Sequence, residues 1–141
     1  MNFTDDTRKH MEFLQNIITR MNTNSFQIKG MAVTIVAAFL ALYASTQKEM
    51  FIFISVVPTF LFGFLDSYYL QQEKKFIGIY KDVAGLSKTN PVRPFEMPIE
   101  NYKGNGYSFV EVLISPTILW LYGVLIVVEI CLGFVVPYYI N

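Results

Sequence analysis

Charge is scarce in this chain, and side chains that carry chemistry are scarcer. Lys, Arg, Asp and Glu make up 16% of the 141 residues, against roughly 25% in a typical soluble domain. The eleven basic and eleven acidic side chains cancel, so no bulk field argues for nucleic acid or an acidic substrate. There is one cysteine, Cys131, and one histidine, His10. A lone cysteine excludes an internal disulfide and any multi-cysteine metal cluster. A histidine with no cysteine or second histidine beside it completes no metal site, and His10 is expected to be solvated. No His-Glu-x-x-His motif, no glycine-rich phosphate loop after a strand and no Ser-His-Asp set is recognisable, so neither an enzyme nor a cofactor is expected. The first ten residues are polar and acidic before they turn basic. They lack the basic-then-apolar pattern of a cleaved signal and are expected to belong to the mature protein. No internal repeat is visible.

Apolar length is what the chain has in abundance. Apolar residues make up 53% of it and its mean hydropathy is positive, a profile that calls for lipid. Residues 31–44 form an apolar run broken only by Thr34, which reaches spanning length with Gly30, Ser45 and Thr46. A second run covers 50–70, joined to the first by little more than Gln47-Lys48-Glu49, so the two form a tight hairpin. A third covers 118–136, opened by Ser115-Pro116, with serine as cap and proline at the first helical position, and stopped by Pro137. The predicted fold is an all-α membrane protein with three transmembrane helices, at 30–47, 50–70 and 115–136.

Ten of the eleven basic residues lie on one side of these spans. Arg8, Lys9, Arg20 and Lys29 precede the first; Lys74, Lys75, Lys81, Lys88, Arg93 and Lys103 separate the second from the third; Lys48 alone falls opposite. By the positive-inside rule the N-terminus and central loop face the cytoplasm, and the C-terminal Tyr138-Tyr139-Ile140-Asn141 faces the exterior.

Residues 1–29 read as a cytoplasmic helix continuous with the first span. Thr4-Asp5-Asp6 offers a cap and an acidic first turn. Met11, Leu14, Ile18, Met21, Ser25 and Ile28 then recur at spacings of three and four, and the register runs on through Ala32, Ile35, Phe39 and Leu42. One helix of about 40 residues, about 60 Å long, results. The second span continues through Tyr69, Glu73, Phe76, Ile77, Tyr80 and Val83 to about 85, where Gly85 ends it. Residues 86–114 form a cytoplasmic loop with a short interfacial helix. Its stretch to 105, holding Pro91, Pro94, Pro98 and Gly104, is expected to have no core of its own.

The first helix carries a second stripe: Asn16, Arg20, Thr23 and Gln27, then Gly30, Thr34, Ala37 or Ala38, Ala41 and Ser45. Copies of this face around an axis would line a water-accepting lumen; small residues at this spacing are equally how membrane helices pack closely. Glu129 lies deep in the third span and is either a functional group or a packing group bonded to Ser45, Thr46 or a tyrosine. Asp66, near the inner end of the second span and at a depth similar to Lys29, reads as one half of an interfacial ion pair. Arg20, Lys29, Lys74, Lys75 and Lys81 can converge as contacts for an anionic ligand or simply attract anionic headgroups. Tyr68, Tyr69, Trp120, Tyr122, Tyr138 and Tyr139 read as an interfacial belt. Pro58 and Gly63 are candidate bends or hinges in the second span.

Two stretches, HMEFLQNIITRMNTNSFQIK at 10–29 and LDSYYLQQEKKFIGIY at 65–80, resemble a family of small bacterial membrane proteins. Proteins of this size and layout resemble the membrane effectors of antiphage systems, such as Hailong-type channels, in which a nucleotide-synthesising partner controls a small oligomeric pore. The resemblance covers about the first 85 residues. It implies a homo-oligomer, with a tetramer favoured, a nucleotide or oligonucleotide ligand made by a partner enzyme, and ligand or gating contacts around Arg20, Asn24, Ser25, Phe26 and Lys29. The function expected is a pore gated from the cytoplasm that depolarises the membrane. The alternative is a non-conducting anchor or accessory subunit that holds a cytoplasmic partner through residues 11–28 and 76–83.

Overall fold

The computed structural model describes residues 4–135. The described residues are helical with no strand, and three helices are long and apolar enough to cross a membrane. The expected stop at Pro137 and the expected belt residues Tyr138 and Tyr139 lie outside the described residues.

Helix α1 runs unbroken over Asp5–Thr46. Thr4 Oγ1 accepts the Thr7 N–H at 3.3 Å, and Asp5 and Asp6 occupy the first turn, where the helix dipole favours negative charge. The helix ends because Gln47 turns left-handed, φ 57°, with its N–H on the Tyr43 carbonyl. Helix α2 follows at once, Met50–Val83, and carries Pro58 inside it. At its far end Gly85 takes φ 72°, its N–H returns to the Asp82 carbonyl and the Leu86 N–H to the Lys81 carbonyl. This paired closure is the Schellman arrangement that glycine permits without strain. A 3-10 turn, Ile99–Asn101, and a short helix α3, Phe109–Leu113, follow. The third span, α4, covers Pro116–Phe134. It is wound in part as π-helix, over Leu119–Gly123 and again from Cys131. Ser115 occupies the position before Pro116, but its hydroxyl makes no capping bond, contrary to expectation.

Burial along α1 departs from the predicted stripe in an instructive way. Leu14, Ser25, Ile28 and Ala32 are buried as expected, but Val36, Tyr43 and His10 are buried too, while Leu42 is 44% exposed and Met11, Ile18, Met21, Ile35 and Phe39 are half-buried. A stripe read at 3.5 residues drifts about 20° per heptad on a straight helix of 3.6 residues per turn. Between Leu14 and Leu42 that amounts to about 80°, enough to swing Leu42 outward and bring Tyr43 in.

The chain divides into two compact units. The first comprises the residues up to Ser25 together with Tyr68–Val112. Its core is Leu14 from α1, Ile79 from α2 and Tyr102 from the loop, with Phe76, Tyr80, Val83, Val92, Met97, Ile99 and Tyr107 packed around it. The loop expected to be coreless therefore supplies the centre of this core. It docks because Gly78 leaves room: a Cβ there would come within 2.7 Å of the Tyr102 ring and of the Tyr107 hydroxyl. Gln15 Nε2 donates to Tyr80 Oη at 3.2 Å, and Asn22 Nδ2 reaches Glu73 at 3.5 Å. The second unit comprises Phe26–Ser67 and the chain from Leu113 on. Here Lys29 Nζ meets Asp66 at 2.6 Å. In the first unit the α1 partners, 15 and 22, and the α2 partners, 80 and 73, each fall seven residues apart, so the antiparallel helices hold one register there.

Candidate functional site

The second unit buries polar groups where a bundle in lipid has little reason to. On α2, Ser55, Thr59, Asp66 and Ser67 are each 0% exposed, while Phe53, Val57, Phe60, Leu61 and Phe64 are turned outward. Spacings of four, four and three through Ser55, Thr59, Gly63 and Asp66 put all of these on one face. From α4, Glu129, 1% exposed, approaches that face. Its Oε1 accepts from Ser55 Oγ at 2.8 Å and from Thr59 Oγ1 at 2.9 Å. The partners suggested by sequence, Ser45 and Thr46, are exposed and bond to the Leu42 carbonyl of their own helix.

Two helical turns before Glu129, Tyr122 is 4% exposed rather than part of an interfacial belt. Its ring rests on Gly63, where an added Cβ would lie 3.4 Å away, and its hydroxyl faces Asp66. Gly63 thus serves close approach, and α2 continues through it without a break. Ser55, Thr59 and Tyr122 are the members that sequence reasoning missed. Their signal was present as an i, i+4 polar seam inside an otherwise apolar run.

The outward stripe of α1 is intact. Asn16, Arg20, Thr23, Gln27, Gly30, Thr34, Ala38, Ala41 and Ser45 are all exposed. At about 100° per residue they lie within about 40° of one line, about 160° around the helix from buried Leu14. Among the described residues nothing lies within 4 Å of where a Cβ on Gly30 would stand. Thr23, Thr34 and Ser45 satisfy their hydroxyls on their own helix carbonyls, at 2.9, 2.8 and 3.1 Å.

The basic residues divide between the units. Arg20 and Lys81 are exposed and Lys74 and Lys75 half-buried in the first, whereas Lys29 belongs to the second and is engaged by Asp66. Of the gating contacts that the resemblance implies, Phe26 is 76% exposed, Asn24 half-buried and Ser25 turned inward at 5%.

His10, expected in solvent, is 1% exposed. Its ring stacks on Phe95 at 6.0 Å, and its Nδ1 accepts the Phe95 N–H at 3.3 Å. Burial pushes its pKa below the ordinary value, outweighing a backbone bond at Glu96 that favours the charged ring. Asp82 anchors the other side of the loop, accepting from Ser87 Oγ, the Thr89 and Asn90 N–H groups and Tyr102 Oη, the last at 2.6 Å. Burial alone would raise the Asp82 pKa, but these donors carry it below the usual value; burial and Asp82 together raise that of Tyr102. Among the described residues no group of three or more His, Cys, Asp or Glu side chains could hold a metal ion. No family model, curated protein or solved structure matches the chain.

Proposed function

We propose that this chain is the subunit of a homo-oligomeric membrane pore in a bacterial inner membrane, gated from the cytoplasm and acting by depolarisation. The observation that carries the reading is the outward face of α1. It is opposite the face buried within the chain, it is polar from Asn16 to Gln27, and from Gly30 to Ser45 it holds only small residues. A helix that met only lipid would gain by presenting bulky apolar side chains there, as α2 does with Phe53, Phe60 and Phe64. Small side chains instead let helix backbones approach, and a polar, basic mouth leading to a narrow small-residue throat is how a ring of such helices conducts ions. The positive-inside bias supports a cytoplasmic first unit. The resemblance of residues 10–29 and 65–80 supports a role in antiphage defence, a tetramer, and opening by a nucleotide or oligonucleotide from a partner enzyme.

Ion flux into liposomes holding the purified chain tests the proposal. Flux with a candidate nucleotide, abolished by Ala38→Phe or Thr34→Leu without loss of helicity, is the expected result. No flux under any nucleotide, from protein that runs as a monomer in detergent, would overturn it.

One observation favours the second reading, a non-conducting anchor. Phe13 and Phe95 are about half exposed and pair edge to face at 6.2 Å, which offers an aromatic patch to a partner. The helix segment that this reading relied on, 76–83, is spent on the chain's own core through Phe76, Ile79, Tyr80 and Val83.

A further inference from the structure

We propose that Glu129, with the hydroxyls of Ser55 and Thr59, forms a reversible proton-binding site within the spans of each subunit, separate from any path between subunits. The geometry of the two hydroxyls carries the inference. Ser55 Oγ lies 2.8 Å from Glu129 Oε1 and 2.7 Å from the Ile52 carbonyl oxygen. Thr59 Oγ1 lies 2.9 Å from the same Oε1 and 3.0 Å from the Ser55 carbonyl oxygen. A hydroxyl has one hydrogen and two lone pairs, so each of these can serve only one of its two acceptors at a time.

When the carboxyl is ionised, both hydrogens turn to Oε1 and stabilise its charge. When it carries a proton, the hydrogens turn to the helix carbonyls, and the freed lone pairs face the carboxyl. The change is a rotation about two C–O bonds, and no heavy atom has to move. A guanidinium or a backbone N–H in the same place donates only, and would favour the ionised state alone.

The second carboxyl oxygen completes the case. Oε2 of Glu129 is buried and has no hydrogen-bond partner among the described residues. A buried acceptor left without a donor supports negative charge poorly, so the arriving hydrogen goes to Oε1, where a freed hydroxyl lone pair accepts it. The surrounding groups leave it unopposed. From α2, the facing Ser55 and Thr59 are uncharged, and the ionisable Asp66 is held by Lys29 of α1 at 2.6 Å. The other ionisable group of α1 in this unit is buried Tyr43; Lys48 and Glu49, in the link, are exposed. On α4 itself, Tyr122 stands two turns away with its hydroxyl buried, and Cys131 is exposed. One proton is taken from water and given back, with no oxidation or reduction.

The test uses the full chain in lipid nanodiscs. Dicyclohexylcarbodiimide attacks protonated carboxyl groups in an apolar phase, and peptide mass mapping reads the adduct. Glu129 is expected to be labelled at low pH, with a rate that falls about tenfold per pH unit above the midpoint. Infrared difference spectra between acidic and alkaline buffer are expected to contain a carboxylic-acid carbonyl band that Glu129→Gln removes. Ser55→Ala and Thr59→Ala are expected to raise the midpoint, because a bond to the charged form is the stronger one. Labelling of Glu129 that is absent or indifferent to pH in a fully helical wild type overturns the proposal. So does an unshifted midpoint in both hydroxyl variants, which decides the matter even if Glu129→Gln fails to fold.

Discussion

Substituting Gly78 by alanine sets two effects of known sign against each other. In a helix interior alanine is favoured over glycine by about 1 kcal/mol, so an unobstructed Gly78→Ala would stabilise α2. The position is obstructed. The new Cβ would stand 2.7 Å from Tyr102 Cδ1, 2.8 Å from Tyr102 Cε1 and 2.7 Å from the Tyr107 hydroxyl. Tyr102 is 2% exposed and tethered to Asp82 at 2.6 Å, so it cannot step aside without giving up both its burial and its hydrogen bond. Overpacking of this kind costs about 1–3 kcal/mol, and a weakened bond to a carboxylate adds about 1 kcal/mol or more. The loop therefore loosens by about 1–3 kcal/mol net. The assay is limited trypsin digestion in detergent, with cleavage followed at exposed Lys88 and Lys103, whose rate rises about tenfold for each 1.4 kcal/mol of easier local opening. Gly30→Ala is the control, because nothing lies within 4 Å of a Cβ there. Unchanged cleavage in Gly78→Ala, with a raised melting temperature, would refute the reasoning, since it would mean that Tyr102 does not rest on α2.

Three further outcomes follow from the same contacts. Lys29→Met removes the cation that meets Asp66, 0% exposed, and is expected to cost up to about 3–5 kcal/mol in detergent unfolding. Asp66→Asn costs less, because the Lys29 side chain is 22% exposed and can reach toward water; the double variant should fall well short of the sum, and simple additivity would exclude the pair. Tyr102→Phe removes one of the donors to Asp82 and is expected to destabilise the loop by about 1–2 kcal/mol, read by the trypsin assay. His10 has a folded pKa below its ordinary 6.5, so below that pH the unfolded chain binds more protons than the folded one, and stability falls with falling pH. The melting temperature of the first unit should therefore be flat above about pH 7 and decline from pH 6.5 downward, and His10→Phe should abolish the slope.

Fold class was legible because length and hydropathy alone distinguish a lipid-crossing helix, and the helix ends were legible at Thr4 and Gly85 because caps are local chemistry. What stayed hidden depended on contacts distant in sequence. Glu129 lies 74 residues from Ser55 and 70 from Thr59, and nothing local distinguishes those hydroxyls from Ser45 and Thr46. His10 read as a solvent group because the residues that cover it, around Phe95, sit in a loop whose prolines advertise turns rather than packing. The loop's one large buried anchor, Tyr102, is matched to a glycine 24 residues away, and no periodicity records such a match. The α1 stripe was read one residue off at its far end for a different reason: spacings of three and four fit both a supercoiled and a straight helix, and only accumulated burial separates them.

The chain carries two polar seams, and they make different demands. The inner seam, through Ser55, Thr59, Asp66 and Glu129, is met within one chain by Lys29 at Asp66 and by paired hydroxyls at one oxygen of Glu129. Within lipid such closure is needed simply because an unmet charge at that depth costs about 2.5–3.5 kcal/mol or more. The outer seam requires nothing of the kind. Thr34 and Ser45 are satisfied on their own helix, and Gly30, Ala38 and Ala41 have no polar side chain to satisfy, so folding of a single chain gives no reason for this face to be polar at one end and small at the other. A feature that folding does not require, aligned on one side of a 42-residue helix, has its cause outside the chain. The two seams are therefore separable: the inner one acts on the stability of each chain, and the outer one is the face on which the proposed assembly rests.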